Sequence, residues 1–181
     1  MKPAWYMRFS DGAENCLDKI GGLPTHKPEV FPICESTGEQ LAFIAQIYCT
    51  PDRLIIPNTL CVQLYQEVDD EPAPVAIRLP IDAQENLNNL GCIHPYIRQL
   101  RIDWELRSDP DEIPETLELT DDELQLMESK VGGTPYYTDD EVPPEHVYLF
   151  QLREEPAGLN FAGRKAIVTM DQDGRLHVRL Q

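Results

Sequence analysis

The stretch Lys19-Ile20-Gly21-Gly22-Leu23-Pro24 returns later in the chain as Lys130-Val131-Gly132-Gly133-Thr134-Pro135. Each copy runs through a polar, proline-containing stretch into a short apolar run ending in glutamine. These runs are Leu41-Ala42-Phe43-Ile44-Ala45-Gln46 and Val147-Tyr148-Leu149-Phe150-Gln151. A hexapeptide, a loop and a glutamine-ended run repeated in one order point to internal duplication. The chain of 181 residues then reads as one domain of two pseudo-repeats, about 10–108 and 119–181, joined by an acidic, proline-containing segment at 109–118.

Working outward, the motif invites a helix before it. Ser10-Asp11-Gly12-Ala13-Glu14 has the order of a capping box, and so does Thr120-Asp121-Asp122-Glu123. In the second copy Leu124, Met127 and Val131 have helical spacing. Lys130 would sit in the last turn, and Gly132 would take the left-handed conformation that ends a helix. The Lys-x-Gly-Gly-x-Pro motif therefore reads as a helix stop followed by extended chain. A phosphate-binding role is disfavoured, because a phosphate loop precedes its helix and ends in Gly-Lys-Ser/Thr.

The remainder reads mostly as strand. The expected strands are Gln40–Cys49, Leu60–Glu67, Pro74–Leu79, Gln99–Arg107, His146–Leu152, Lys165–Met170 and Arg175–Leu180. The last two are joined by the hairpin turn Asp171-Gln172-Asp173-Gly174. The expected fold class is α+β, mainly β, with a duplicated helix–turn–strand unit and an antiparallel or mixed sheet. Gln46 and Gln151 are expected to cap main-chain groups across the pseudo-twofold. The motif residues with structural roles are then Lys19, Gly21, Gly22, Pro24, Gln46, Lys130, Gly132, Gly133, Pro135 and Gln151.

Composition narrows the function classes. The formal net charge is −17, and residues 109–145 carry thirteen acids against the single base Lys130. That balance argues against nucleic acid or an anionic membrane as a partner, since both require basic patches. No apolar run approaches the ~18 residues of a membrane span, and the N-terminus lacks an apolar leader core. Five irregularly spaced cysteines suit a reducing compartment, so a cytoplasmic protein is expected.

Lys-x-Gly-Gly-x-Pro, the loop Phe31-Pro32-Ile33-Cys34 and the strand Leu41-x-Phe43-Ile44-Ala45-Gln46-Ile47 together resemble the YwqG-like family of bacterial proteins. The later Gly-Gly-x-Pro, the strand Tyr148-Leu149-Phe150-Gln151-Leu152 and the closing Asp173-Gly174-Arg175-Leu176-His177-Val178 are similar to its C-terminal half. The resemblance implies a duplicated α+β fold of undefined biochemical function, with immunity or accessory roles beside bacterial toxins proposed for some members. Relatives of this type carry Cys-x-x-Cys-Gly in the first loop. Here the segment is Cys34-Glu35-Ser36-Thr37-Gly38, which removes a thiolate ligand.

Chemistry is sparsely signalled. Cys34, His26, Cys92 and His94 make a weak metal set, and neither a metal nor a cofactor is expected. No nucleophile elbow or Cys/His signature is present. The sharper expectation is a non-catalytic protein-binding module, immunity-like or accessory, whose acidic face meets a basic protein. That face would comprise Asp121, Asp122, Glu123, Tyr136, Tyr137, Asp139, Asp140 and Glu141, since tyrosine anchors and clustered charge favour recognition. The alternative is an enzyme or small-molecule binder with its site in a cleft between the repeats, near the two Gly-Gly-Pro turns. A homodimer is a further possibility.

Overall fold

The computed structural model describes residues 1–14, 16–68, 73–113, 120, 124–137 and 143–181. Its eleven strands are β1 (Lys2–Asp11), β2 (Lys19–Ile20), β3 (Ala42–Tyr48), β4 (Thr59–Gln66), β5 (Val75–Pro80), β6 (Cys92–Ile93), β7 (Leu100–Asp109), β8 (Lys130–Gly132), β9 (Val147–Arg153), β10 (Lys165–Met170) and β11 (Leu176–Leu180). They form one sheet in the order β11-β10-β9-β8-β1-β7-β2-β3-β4-β5, with β6 added in parallel beside β3. The outermost strands β5 and β11 approach each other, so the sheet curls toward a barrel.

This corrects the α+β expectation: among the described residues the protein is all-β. Ser10 and Asp11, read as a helix start, are the end of β1. Around the second motif, among the described residues, Leu124 is helical with its amide bonded to Thr120 O, Gln125–Met127 form a short 3-10 segment, and Lys130–Gly132 is a strand. Asp121, Asp122 and Glu123 of that expected helix lie outside the described residues. The physical reason is non-local. Val131 pairs with Trp5 on one side and Phe150 on the other, and these ladder bonds outweigh the weak local preference of a short segment. A left-handed glycine ends a strand as readily as a helix.

The strand order is palindromic. β1 to β5 on one side correspond to β7 to β11 on the other, so the order assigns β7 to the second unit rather than the first. β1 and β7 exchange along their full lengths, from Lys2 opposite Asp109 to Asp11 opposite Leu100. The pseudo-twofold passes through the Arg8–Asp103 pair. Each unit inserts its short motif strand beside the other's long one: β2 pairs with β7 and β8 with β1. The halves are thereby interlocked.

One continuous core underlies the sheet. Ile20 and Ile44 from one unit pack with Leu100, Val131, Phe150 and Val168 from the other, all buried. Each such side chain contributes ~1.5–3 kcal/mol relative to exposure. β3 is buried along its whole length, the pattern of a strand covered on both faces. The covering layer on one side includes the loops before β3 and around β6. Phe31 lies edge-on to Tyr65 there, and Asn86 clasps the chain.

Candidate functional site

The two copies of the motif have the same scaffold. Lys19 lies opposite Gln46 in the β2–β3 ladder, and Lys130 opposite Gln151 in the β8–β9 ladder. In both copies the two glycines are left-handed: Gly21 and Gly22 have φ of 68° and 74°, Gly132 and Gly133 of 68° and 73°. Gln46 Oε1 accepts from the Thr25 amide at 3.0 Å, as Gln151 Oε1 accepts from the Tyr136 amide at 3.1 Å. Gln46 Nε2 donates to the Leu17 carbonyl, as Gln151 Nε2 donates to the Glu128 carbonyl at 2.7 Å. Both glutamines are fully buried and cap main-chain groups of their own unit, not across the pseudo-twofold.

Past this shared frame the copies diverge at the lysine. Lys130 is 0% exposed, and its ammonium donates to Asp109 Oδ2. The same carboxylate oxygen accepts from the Thr134 amide at 2.9 Å, while Oδ1 accepts from the Tyr6 hydroxyl at 2.6 Å. Burial lowers the Lys130 value below the ordinary lysine range, and Asp109 opposes it. Burial, reinforced by the Asp109 hydrogen bond, pushes the Tyr6 phenol well above the usual range. Asp109, read in the sequence as part of an acidic surface, is therefore an internal counterion.

Lys19 is 8% exposed, and its ammonium makes no hydrogen bond or ion pair among the described residues but keeps some contact with solvent. Its neighbour Asp18 is engaged elsewhere, accepting from Arg53 at 2.7 Å, Trp104 Nε1 at 2.8 Å and the Tyr48 amide at 2.6 Å. Burial lowers the Lys19 value, with Cys16 acting in the opposite direction. The Leu23 amide, which corresponds to that of Thr134, also finds no acceptor among the described residues. Two donors that converge on a carboxylate in one copy thus lack it in the other.

Lys19 lines a cavity of about 620 Å³ together with Glu14, Gly21, Gly22, Thr25 and Asn86. Asn86 builds the far wall. Its Nδ2 donates to the Pro24 carbonyl at 3.0 Å and the Leu90 carbonyl at 2.7 Å, and its amide donates to Thr25 O. Gly22 borders Gln99, whose Oε1 would be 3.1 Å from an added Cβ. A second hollow of about 660 Å³ beside β5 includes Lys27, Glu29 and Ile77.

No family model, curated protein or solved structure matches the chain.

The remaining expected site residues fall differently. Tyr136 is half-buried with the Lys165 ammonium 4.6 Å above its ring, and Tyr137 is half-buried with its phenol raised by burial. Neither is an exposed anchor. Asp121, Asp122, Glu123, Asp139, Asp140 and Glu141 lie outside the described residues. Pro24 lines the cavity, whereas Pro135 only carries the chain from Thr134 to Tyr136. The cavity belongs to the first unit and is not a cleft between the two turns, which flank opposite ends of the β1–β7 ladder. The signal for Lys19 was present as one member of a repeated motif. Nothing in the sequence marks Leu23 or Asn86.

His26, weighed above as a ligand, sets its ring against the Tyr48 hydroxyl, and Cys34 Sγ lies 2.9 Å from Ser36 Oγ. All five cysteines are free thiols. No helix among the described residues is long and apolar enough to cross a membrane.

Proposed function

We propose that this protein binds a small carboxylate-bearing molecule at the first Gly-Gly turn. The observation that carries the reading is the contrast between Lys130, neutralised by Asp109, and Lys19, a largely buried residue whose ammonium has no partner among the described residues and borders a cavity. Partial desolvation of an ammonium without a counterion is unfavourable, and an incoming anion relieves that cost. The ligand carboxylate would take the place that Asp109 occupies in the second copy. It would accept from Lys19 Nζ and the Leu23 amide. A carboxylate fits better than a phosphate, because the equivalent backbone already cradles one and only one buried cation is at hand.

Titration with 4-methylpentanoate, followed by amide NMR, tests the reading. Shifts should cluster at residues 22–25 and vanish in Lys19→Met, with inorganic phosphate giving weaker ones. Undisturbed amides at that turn would sink the proposal.

In this reading the protein is a cytoplasmic binder of the YwqG-like type, supported by its free thiols and by the motif residues alone. The protein-partner reading is supported only by the net charge of −17. Its test is capture of a basic protein that is lost as salt rises.

A further inference from the structure

The charges and apolar groups around the cavity narrow the ligand further. Glu14 and Glu85 line the same cavity as Lys19; both are exposed, and neither forms an ion pair among the described residues. By the β1–β7 register Glu14 corresponds to Asp109, yet it does not close onto Lys19 as Asp109 closes onto Lys130. The wall also carries Leu87, 81% exposed, and Ile93, 49% exposed. A simple carboxylate entering this site would gain Lys19 but pass two uncompensated carboxylates of its own sign. A molecule that also carries a cation turns those two carboxylates from repulsive to attractive.

We infer that the ligand is an amino-acid-like zwitterion with an apolar side chain. This rests on the carboxylate reading above and adds two contacts to it. The ligand carboxylate meets Lys19 and the Leu23 amide. Its ammonium faces Glu14 and Glu85, and its apolar side chain covers Leu87 and Ile93, which would otherwise stay in water. A volume of about 620 Å³ accommodates an amino acid or a dipeptide.

The experiment compares leucine and leucyl-leucine with 4-methylpentanoate, which lacks the ammonium, and isopentylamine, which lacks the carboxylate. Calorimetric titration is run on the wild type, on Glu14→Gln/Glu85→Gln and on Lys19→Met. Both glutamates are exposed, so the double variant should fold normally, which a thermal melt verifies. The better zwitterion should bind wild type about tenfold more tightly than 4-methylpentanoate. That advantage should fall to near unity in the double variant, which should bind 4-methylpentanoate at least as tightly as wild type does. Lys19→Met should lose both classes. Equal binding of zwitterion and carboxylate by wild type would overturn the zwitterion and leave the carboxylate reading standing. An advantage that survives in the double variant would overturn it as well. If no carboxylate-bearing probe binds, or isopentylamine binds as well as leucine, the carboxylate reading fails and the zwitterion with it.

Discussion

The two motif lysines form an internal comparison at the residue scale, since one scaffold holds both and only the partner differs. Lys130→Met leaves Asp109 buried with an unmatched charge and should destabilise the protein by about 3–5 kcal/mol. Lys19→Met removes a largely buried charge that has no partner among the described residues, and should fall within ~1 kcal/mol of wild type or above it. Urea unfolding of the two variants checks the contrast; equal losses would mean that Lys19 has a counterion in solution. The proton linkage has a definite sign. The folded Lys19 value lies below the ordinary one, so between the two the unfolded state binds more protons and stability rises with pH. A carboxylate ligand selects the protonated lysine, so its affinity should weaken as pH climbs through the folded value. Subtracting the Lys19→Met profile isolates that contribution.

At the scale of the element, the turn and the ladder set the constraints. A Cβ on Gly133 would collide with the Asp109 carboxylate and lie 2.6 Å from Ala4 Cβ, whereas on Gly22 it would meet only the mobile end of Gln99 at 3.1 Å. The left-handed φ alone costs an alanine about 1–2 kcal/mol. Gly133→Ala should therefore lose clearly more than Gly22→Ala, and thermal melts would show it. The β1–β7 ladder carries a chain of charges in which Glu105 accepts from Arg8 at 2.7 Å and Arg107 at 2.8 Å. Those two arginines hold the Glu105 carboxyl down to about 2. Because its folded value is depressed, the stability it supplies is present above the usual glutamate range and lost as pH falls toward about 2. Glu105→Gln should flatten acid unfolding in that window by lowering stability slightly at neutral pH and not near pH 2, the effect being small because the network is exposed.

For the whole molecule, the interlocked order makes the middle of the sheet the last part to open. Hydrogen exchange should be slowest in β1 and β7 and faster in β5 and β11, which end the hydrogen-bonded path. Equal protection at both edges would mean that the barrel is closed by backbone bonds. What was legible in the sequence was local. The repeated hexapeptide placed both turns, short apolar runs placed β3 to β5, β9 and β10, and alternation placed β7 and β11, because such patterns are written residue by residue. Gly132 was legible as a left-handed position, but not as a strand end. Capping-box residues near a 3.6-residue spacing looked helical, while Lys130–Gly132 is a strand because β1 and β9 flank it from distant parts of the chain. β1 itself went unread: Lys2–Asp11 does not alternate cleanly, and only its partners β7 and β8 make it the central strand. The lysine pair makes the same division. By itself the sequence determined two equivalent lysines on two equivalent turns. Only the tertiary structure decided that one meets Asp109 and the other a cavity, since a counterion is fixed by proximity in space.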